Sequence, residues 1–599
     1  MGAVSPLASN SDLVVFTVLA GGSKLPDTWQ VQQVHVHKQV NRIASARLTL
    51  YDGSASAESF PISASTTLFP GADVEITAGY HNAAESTLFK GVVVRHAIKV
   101  KADRKSYLVL TCYDKALKMT VGRKSGYVGK SDSALFEQLI GDSDLTAQVE
   151  STDDTADEIV RYYATDWDFM VARAEINGRI VLVDDGTVTV QAPKVDADPG
   201  LQIEYGAALD ELSVEIDAAA QYASVGCSAW DYTAQAAASA ASSEPAVTGI
   251  GNFAGTDLAN VLAAGPIALQ ATAPSSPAEL TQWANAQLLK SRLAMVRGKV
   301  SFRGNALPKP GGLIELKGVG PRFSGNAFVS SVQHHIENGN WSTEAGLGLS
   351  PQWFVEEAAD IEAPLASGML PGVNGLLIGK VKQIDQDPAG QNRILVEVPM
   401  INASGDGIWA RQASGYASNG VGVLFVPELG DEVVLGFLND DPRAAVILGS
   451  LNSSANPPAY PPDAPNTYKA IVTKGLLTVL LDDVKKIITV KTPGGHVLTM
   501  DDDQQQVTLV DSNQNRMKFS AAGIELDSCA DLVLSAKGKV SITAEGGDMT
   551  LSAAAGALNG SAESVSVTAD TSLSLQGSAS AKLASSGELA VQGSMVMIN

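Results

Sequence analysis

The chain has 599 residues, more than one hydrophobic core holds, and at about 150 residues per domain it predicts about four units. With 45% hydrophobic and 18% charged residues the composition is that of a folding chain and excludes a disordered one. A formal charge of −23 argues against a nucleic-acid partner, and three distant cysteines, Cys112, Cys227 and Cys529, argue against a disulfide framework or a CxxC metal site.

The opening "MGAVSPLASNSDLVVFTVLA" lacks a basic region before its apolar run, and no window reaches about 18 uninterrupted apolar residues. A product made soluble in the cytoplasm, without a cleaved signal, is expected. From about residue 12 to residue 121, short alternating stretches such as "ARLTLYD", "DVEITAGY" and "SYLVLTCYD" predict a β-rich, barrel-like region. "SDSALFEQLIGD" (131–142) then predicts a small helix, with Ser131 as N-cap and Leu135, Leu139 and Ile140 at helical spacing.

The small-residue stretch "AQAAASAASSEPAVTG" (234–249) reads as a loop or insertion without structure of its own. A second helix is predicted in "SPAELTQWANAQLLKSRLAMVRG". Ser276 is its N-cap, Pro277 its first position and Glu279 its capping-box partner; Gly298 is the expected stop, with Leu289, Leu293 and Val296 on one face.

After Pro371 the texture changes to strand, turn, strand. Val433, Leu435 and Phe437 alternate, and Asp440, Asp441 and Pro442 turn the chain toward Val446 and Leu448, which suits a closed five-stranded OB-fold barrel. "NPPAYPPDAP" is a stiff Pro-rich joint.

Beyond it lies a repeat. Val565, Leu573, Ala581, Leu589 and Met597 are spaced by eight, each followed two residues later by Val567, Leu575, Leu583, Val591 and Asn599. Ile524, Leu532 and Val540, with Leu526, Leu534 and Ile542, keep the same step. Two modest apolar residues per octad cannot offset a backbone ordering cost of roughly 1–2 kcal/mol per residue in one chain. Three chains forming the walls of a prism would bring these positions together on an axis and pair every strand. About fifteen octads from Thr473 on, at about 4.7 Å each, would make a rod about 70 Å long.

This order of parts resembles the spike proteins of contractile injection systems, the VgrG type of type VI secretion and its relatives in phage-tail-like particles. The motifs "GKVKQIDQDP", "RILVEVP", "IWAR", "FVPELGDEVVLGF" and "NDDPRAAVILGSL" carry the likeness in the barrel. "ATDWDFMVARAEINGRIVLVDDGTV" (164–188) and "KPGGLIELKGVGPRFSGNAFVSSVQH" (309–334) carry it in the hub. The early hub departs from the usual family opening, which points toward the extracellular, phage-tail-like branch.

The resemblance implies a mainly β fold: a hub of β-barrel-like domains with a few helices, an OB-fold neck, and an intertwined triple-stranded β-helix needle in a homotrimer. The expected divisions are 1–370, 371–456, a joint at 457–472 and a needle at 473–599. The needle core would be Val565, Val567, Leu573, Leu575, Leu583, Leu589, Val591 and Met597. Met597, Ile598 and Asn599 would form the landing surface for a PAAR-type conical cap. Other implied partners are an inner-tube ring protein and baseplate proteins at the hub, a cargo effector, and transiently the target membrane. The implied role is to join tube to needle and puncture the target envelope, in a particle that is extracellular or cell-anchored.

No enzyme, cofactor or metal is expected. The Pro-rich joint leaves no room for a hydrolase with paired carboxylates. His35 and His37 share a strand face and His334 and His335 are adjacent, but neither pair has further ligands at metal spacing. "DDDQQQ" (501–506) lacks the glycine and final glutamate of an EF-hand and reads as a turn. In the barrel, acids outnumber Lys380, Lys382, Arg393, Arg411 and Arg443, against an oligonucleotide groove. "GVGPRFSG" lacks the strand and helix of a dinucleotide site. Two alternative roles fit the same sequence: a glycan- or receptor-binding tail fibre, for which Trp409 and Tyr416 could stack on a sugar, and an enzymatic cell-puncturing device.

Overall fold

The computed structural model describes residues 3–8, 13–102, 105–129, 131–152, 159–247, 250–262, 265–401 and 405–598. The chain divides into two compact units, 1–451 and 452–599.

In the first unit a thirteen-stranded sheet dominates. Its early strands, Val14–Ala20, Val31–Gln39, Ser45–Tyr51, Asp73–Tyr80, Ser86–Val100 and Ser106–Tyr113, pair antiparallel. Strand alternation sorts their side chains: Val34 and Val36 are fully buried, while His35 and His37 face the other side. The buried set joins Leu48, Phe89 and Leu110 with Phe136 and Met170 from two helices in one core. A second core, including Leu201, Val300, Phe302, Ile314 and Val329, is built by the later strands, among them Leu209–Ile216, Val296–Arg303, Leu313–Lys317 and Gly325–Glu337. The two groups of strands meet where Val31–Gln39 pairs with Gly325–Glu337, setting His35 opposite His335.

Local signals place the helices. Asp132–Gly141 begins at Ser131, whose hydroxyl accepts from the Ala134 N–H, and buries Leu135, Leu139 and Ile140. Asp166–Ile176 is capped by Thr165 and leads through Asn177 and Gly178 into the hairpin of Ile180–Asp184 and Thr187–Gln191. Glu175, buried near its end, accepts from Lys290 Nζ at 2.7 Å, Asn41 Nδ2 at 3.1 Å and the Phe354 N–H at 2.6 Å. One carboxylate thus fastens three other segments to this helix, each of its oxygens accepting at least one hydrogen bond.

Pro277–Leu293 has the expected capping box between Ser276 and Glu279. Its end differs from expectation. The helix stops at Leu293 with Ala294 as C-cap, and Val296 and Gly298 belong to the next strand. Gly298 (φ +150°) serves close strand packing: a Cβ there would lie 2.1 Å from the Ser213 carbonyl oxygen.

The stretch expected to be unstructured is also corrected. Ala236–Ala241 is a strand, antiparallel to Val225–Asp231, in a three-stranded sheet completed by Ile267–Ala271. Ala238 and Ala240 pack on a core that contains Leu280, Ala284 and Leu288 of the helix. Small side chains let the helix approach the strand closely, so what resembles low complexity is a packing surface. Residues 248–249 of that stretch lie outside the described residues.

Strands Leu377–Gln383, Ile394–Glu397, Ile408–Gln412, Glu432–Phe437 and Ala445–Ser450 close into a five-stranded barrel. Val381, Val396, Ala410, Val433, Leu435 and Ile447 fill it. The last strand turns Ala445 and Ile447 inward and leaves Leu448 exposed.

The second unit contains a seven-stranded antiparallel meander: Tyr468–Val472, Thr478–Asp482, Ile487–Lys491, Val497–Asp501, Gln506–Val510, Arg516–Ser520 and Gly523–Asp527. Its first six strands begin about nine or ten residues apart, so the octad expected from Thr473 does not govern this part. The reason lies in the turns. Five-residue strands are joined by Asx-type turns, in which Asp482 Oδ1 accepts from the N–H groups of Val484 and Lys485, Asp501 Oδ1 from Gln504, and Asp511 Oδ1 from Asn513 and Asn515. The "DDDQQQ" segment is one of these turns. Residues 528–598 contain neither helix nor strand.

Candidate functional site: an uncovered apolar sheet face

The register of the meander sorts its side chains into columns. One runs Leu481, Ile488, Met500, Val507, Phe519, Ile524, beginning beside Lys469. The other runs Ile471, Val479, Val490, Leu498, Leu509, Met517, Leu526. Positions two apart on a strand share a face, so both columns lie on the same side of the sheet. The column between them points to the opposite side and reads Ala470, Leu480, Thr489, Thr499, Thr508, Lys518, Glu525.

The sheet is therefore two-sided in chemistry, with an apolar face and a mainly polar one. The apolar face stays open to solvent in the single chain: Val490 is 40% exposed, Phe519 40% and Leu509 51%. Fully burying such a side chain is worth about 1.5–3 kcal/mol, so covering what is still exposed gains roughly 1 kcal/mol for each. A continuous apolar face across seven strands is of the kind that marks an interaction surface.

The octad residues named from the sequence are likewise exposed in the single chain. Val565, Val567, Leu573, Leu575, Leu583, Leu589, Val591 and Met597 range from 51% to 82%. Met597 and Ile598 are exposed, and Asn599 lies outside the described residues. The octad also carries a feature that spacing alone had hidden. Its two segments are one series with a single longer step, from Val540 to Met549, at Gly546 and Gly547; from Met549 through Ala557 the step of eight runs on to Met597. Missed as well were the meander's columns. Their signal is the regular recurrence of "LDDVKK", "KTPGG", "DDDQQ" and "DSNQN" between alternating stretches.

The residues weighed for chemistry lie apart from this face in sequence. His35 and His335 are cross-strand neighbours with ring centroids 6.0 Å apart. His35 Nε2 lies 3.0 Å from Gln333 Oε1, and His335 Nε2 lies 3.1 Å from Glu337 Oε2. His334 faces inward, its Nδ1 3.0 Å from the Thr343 hydroxyl, and burial, with Lys38 and His35 nearby, pushes its pKa down to about 3. Burial also lowers that of His37, with His35 adding to it. Among the described residues no group of three or more His, Cys, Asp and Glu is arranged to hold a metal. "GVGPRFSG" forms the turn between Leu313–Lys317 and Gly325–Glu337.

In the barrel, Asp387 holds Arg393 with contacts of 2.7 Å to Nη2 and 3.1 Å to Nε, and that hydrogen bonding keeps the carboxyl well below the usual carboxylate range. Tyr416 lines a groove beside this pair, and Trp409 lies outside it. Of the two aromatics expected to stack on a sugar, only Tyr416 lines the groove. No helix among the described residues is long and apolar enough to cross a membrane.

Comparison with known proteins places these parts. Residues 10–338 match the family described as Alg8 N-terminal domain, and residues 377–451 match the type VI secretion system/phage-baseplate injector OB domain. The type VI secretion system spike protein VgrG4b of Pseudomonas aeruginosa is 36% identical over 70 residues, 11% of this chain and 9% of that protein. The match thus spans less than a tenth of the relative's length. Among solved structures, a tail protein from Neisseria meningitidis aligns with a TM-score of 0.42 at 14% identity, over 57% of this chain and 98% of that one. A Francisella PdpA–VgrG complex aligns at 0.39 and 11%, over 87% and 81%. The relationship to VgrG-type and phage-baseplate proteins expected from the barrel motifs is borne out by the OB-domain match and by VgrG4b. Through residues 10–338, which are more than half its length, the chain belongs to the Alg8 N-terminal domain family.

Proposed function

We propose that this member of the Alg8 N-terminal domain family is the homotrimeric spike of a contractile injection machine. It would join the inner tube at its hub to a needle that punctures the target envelope and delivers cargo. The observation that carries this reading is the meander's pair of apolar columns. Three sheets arranged as a triangular prism would turn these columns onto a common axis and their Thr-rich faces to water. The octad then continues the same principle with less bulk, two inward residues per eight, down to Met597.

In this reading the hub is 1–370, the neck 371–456 and the joint the Pro-rich stretch that follows, with the needle beginning at the Tyr468 strand instead of Thr473. Val565, Val567, Leu573, Leu575, Leu583, Leu589 and Val591 are core. The residues at 597–599 seat a conical cap of the PAAR type, while tube-ring and baseplate proteins bind the hub. The role is mechanical, without catalysis, and the chain is made soluble and assembled into a particle. The injector OB domain supports this assignment.

Sedimentation of the purified chain tests it directly. A stable species of three times 62.2 kDa is expected. A monomer at micromolar concentration overturns the trimer, and cell-wall hydrolysis lost on a single carboxylate substitution overturns the mechanical role.

A further inference from the structure

We propose that the open groove on the barrel receives the barrel of a second copy of this chain, with Phe425 as the inserted side chain; this rests on the trimeric reading above. The groove encloses about 1040 Å³. Its apolar lining includes Ile384, Tyr416, Val421, Val423, Leu424 and Val426. Of the four charged residues in its wall, Asp387 and Arg393 are paired with each other as described above, and Asp385 and Arg411 are the other two. An apolar ring suits the apolar part of this lining, which a charged guest would meet only by giving up its hydration.

The same segment that forms one wall also supplies the guest. Phe425 stands between Leu424 and Val426, yet lies outside the groove they line, and it is 58% exposed. Its carbonyl accepts from Gln412 Nε2 at 2.6 Å, which fixes the segment against its own barrel. It is absent from the barrel core, so its ring is not committed to folding. A knob on one side of a segment and a hole on the other make a head-to-tail contact, which closes into a ring under rotation.

The covalent connection favours a second copy over another protein. Residues 451–467 join the last barrel strand to the first meander strand and are rich in proline. At about 3.1 Å per residue this stretch reaches about 50 Å at most. Copies held together through their meanders would keep their barrels at an effective concentration in the millimolar range, enough for a small contact to form.

The test uses the full chain with Cys529→Ser, since that cysteine is exposed whereas Cys112 and Cys227 are buried. Ile384→Cys and Phe425→Cys are introduced together and treated with a short bis-maleimide. A ladder of two and three linked chains on a denaturing gel is expected, and neither single variant should give it. A trimer by sedimentation with no interchain link overturns the inference alone and leaves the trimer standing. A link within one chain, or a ladder from Phe425→Cys by itself, overturns it too. Monomeric parent protein overturns the reading beneath it and the inference with it. Independently, Phe425→Ser should lower the temperature at which the trimer dissociates while leaving the hub transition in place, and an unchanged dissociation temperature overturns the role of Phe425.

Discussion

The barrel and the meander are both antiparallel, both alternate apolar and polar residues, and yet bury their apolar sides in opposite ways. In the barrel, Val433 and Leu435 are fully buried because five strands close on themselves within one chain. In the meander, Val490 and Leu509 occupy equivalent alternating positions and stay exposed because seven strands in a row leave one whole face open. Alternation therefore says that a strand has an inner face. Whether the same chain covers that face depends on closure.

That contrast predicts where stability depends on protein concentration. The largest effect is expected from Leu575→Asp. Three carboxylates would meet near the axis, a desolvation cost of several kcal/mol per ion, so the needle should fail to assemble, as sedimentation would show, while the hub keeps its thermal transition. A variant that stays trimeric and heat-resistant would contradict the inward assignment of Leu575.

Next in size is the pair Leu435→Ala and Val490→Ala. In the barrel, removing a buried leucine costs about 2–5 kcal/mol, seen as a denaturation midpoint that moves little on dilution. In the meander, the Val490 change should act three times over in the assembly, with an unfolding midpoint that falls on dilution. Equal concentration dependence in both variants would erase the distinction.

A third difference is one of pH. His334 sits in the hub sheet with its pKa pushed down to about 3, below the ordinary histidine value of 6.5. Its unfolded form takes up a proton near 6.5 while the folded form does not, so stability is full above that pH and falls as pH drops toward 3. The slope is at most about 1.4 kcal/mol per pH unit. Chemical denaturation at pH 7, 6, 5 and 4 should show the hub weakening, and His334→Gln should flatten that dependence between pH 6.5 and 4.5. The smallest effect is expected from Ser276→Ala, which removes the helix cap at a cost of about 1 kcal/mol, read as a small drop in hub melting temperature.

Much of the fold was legible where the deciding interactions are local. Ser131 and Ser276 marked their helix starts because an N-cap hydroxyl meets an N–H three residues on. The barrel was legible from alternation at Val433 and Leu435 bounded by turn residues. The stop at Gly298 was misjudged because its positive φ answers a distant strand, 209–216, and not the preceding helix. Ala236–Ala241 escaped because alanine carries no pattern, and its partner helix lies some forty residues away. In the candidate site, the octad is legible at Leu573 and Leu589 from spacing alone, whereas the columns through Leu498 and Leu509 need the recurrence of the turns between them to be read first.

By itself the sequence determined that the chain is mainly β, where two of its helices begin, that a small barrel precedes a Pro-rich joint, and that the remainder repeats. Each of these rests on a side chain and its neighbours within a few residues. Only the tertiary structure decided which strands pair, and hence that Val490 lies beside Leu498, that the meander advances by nine or ten residues instead of eight, and that its apolar positions share one face. Strand pairing is set by register between segments, and a shift of one residue would move every side chain to the other face.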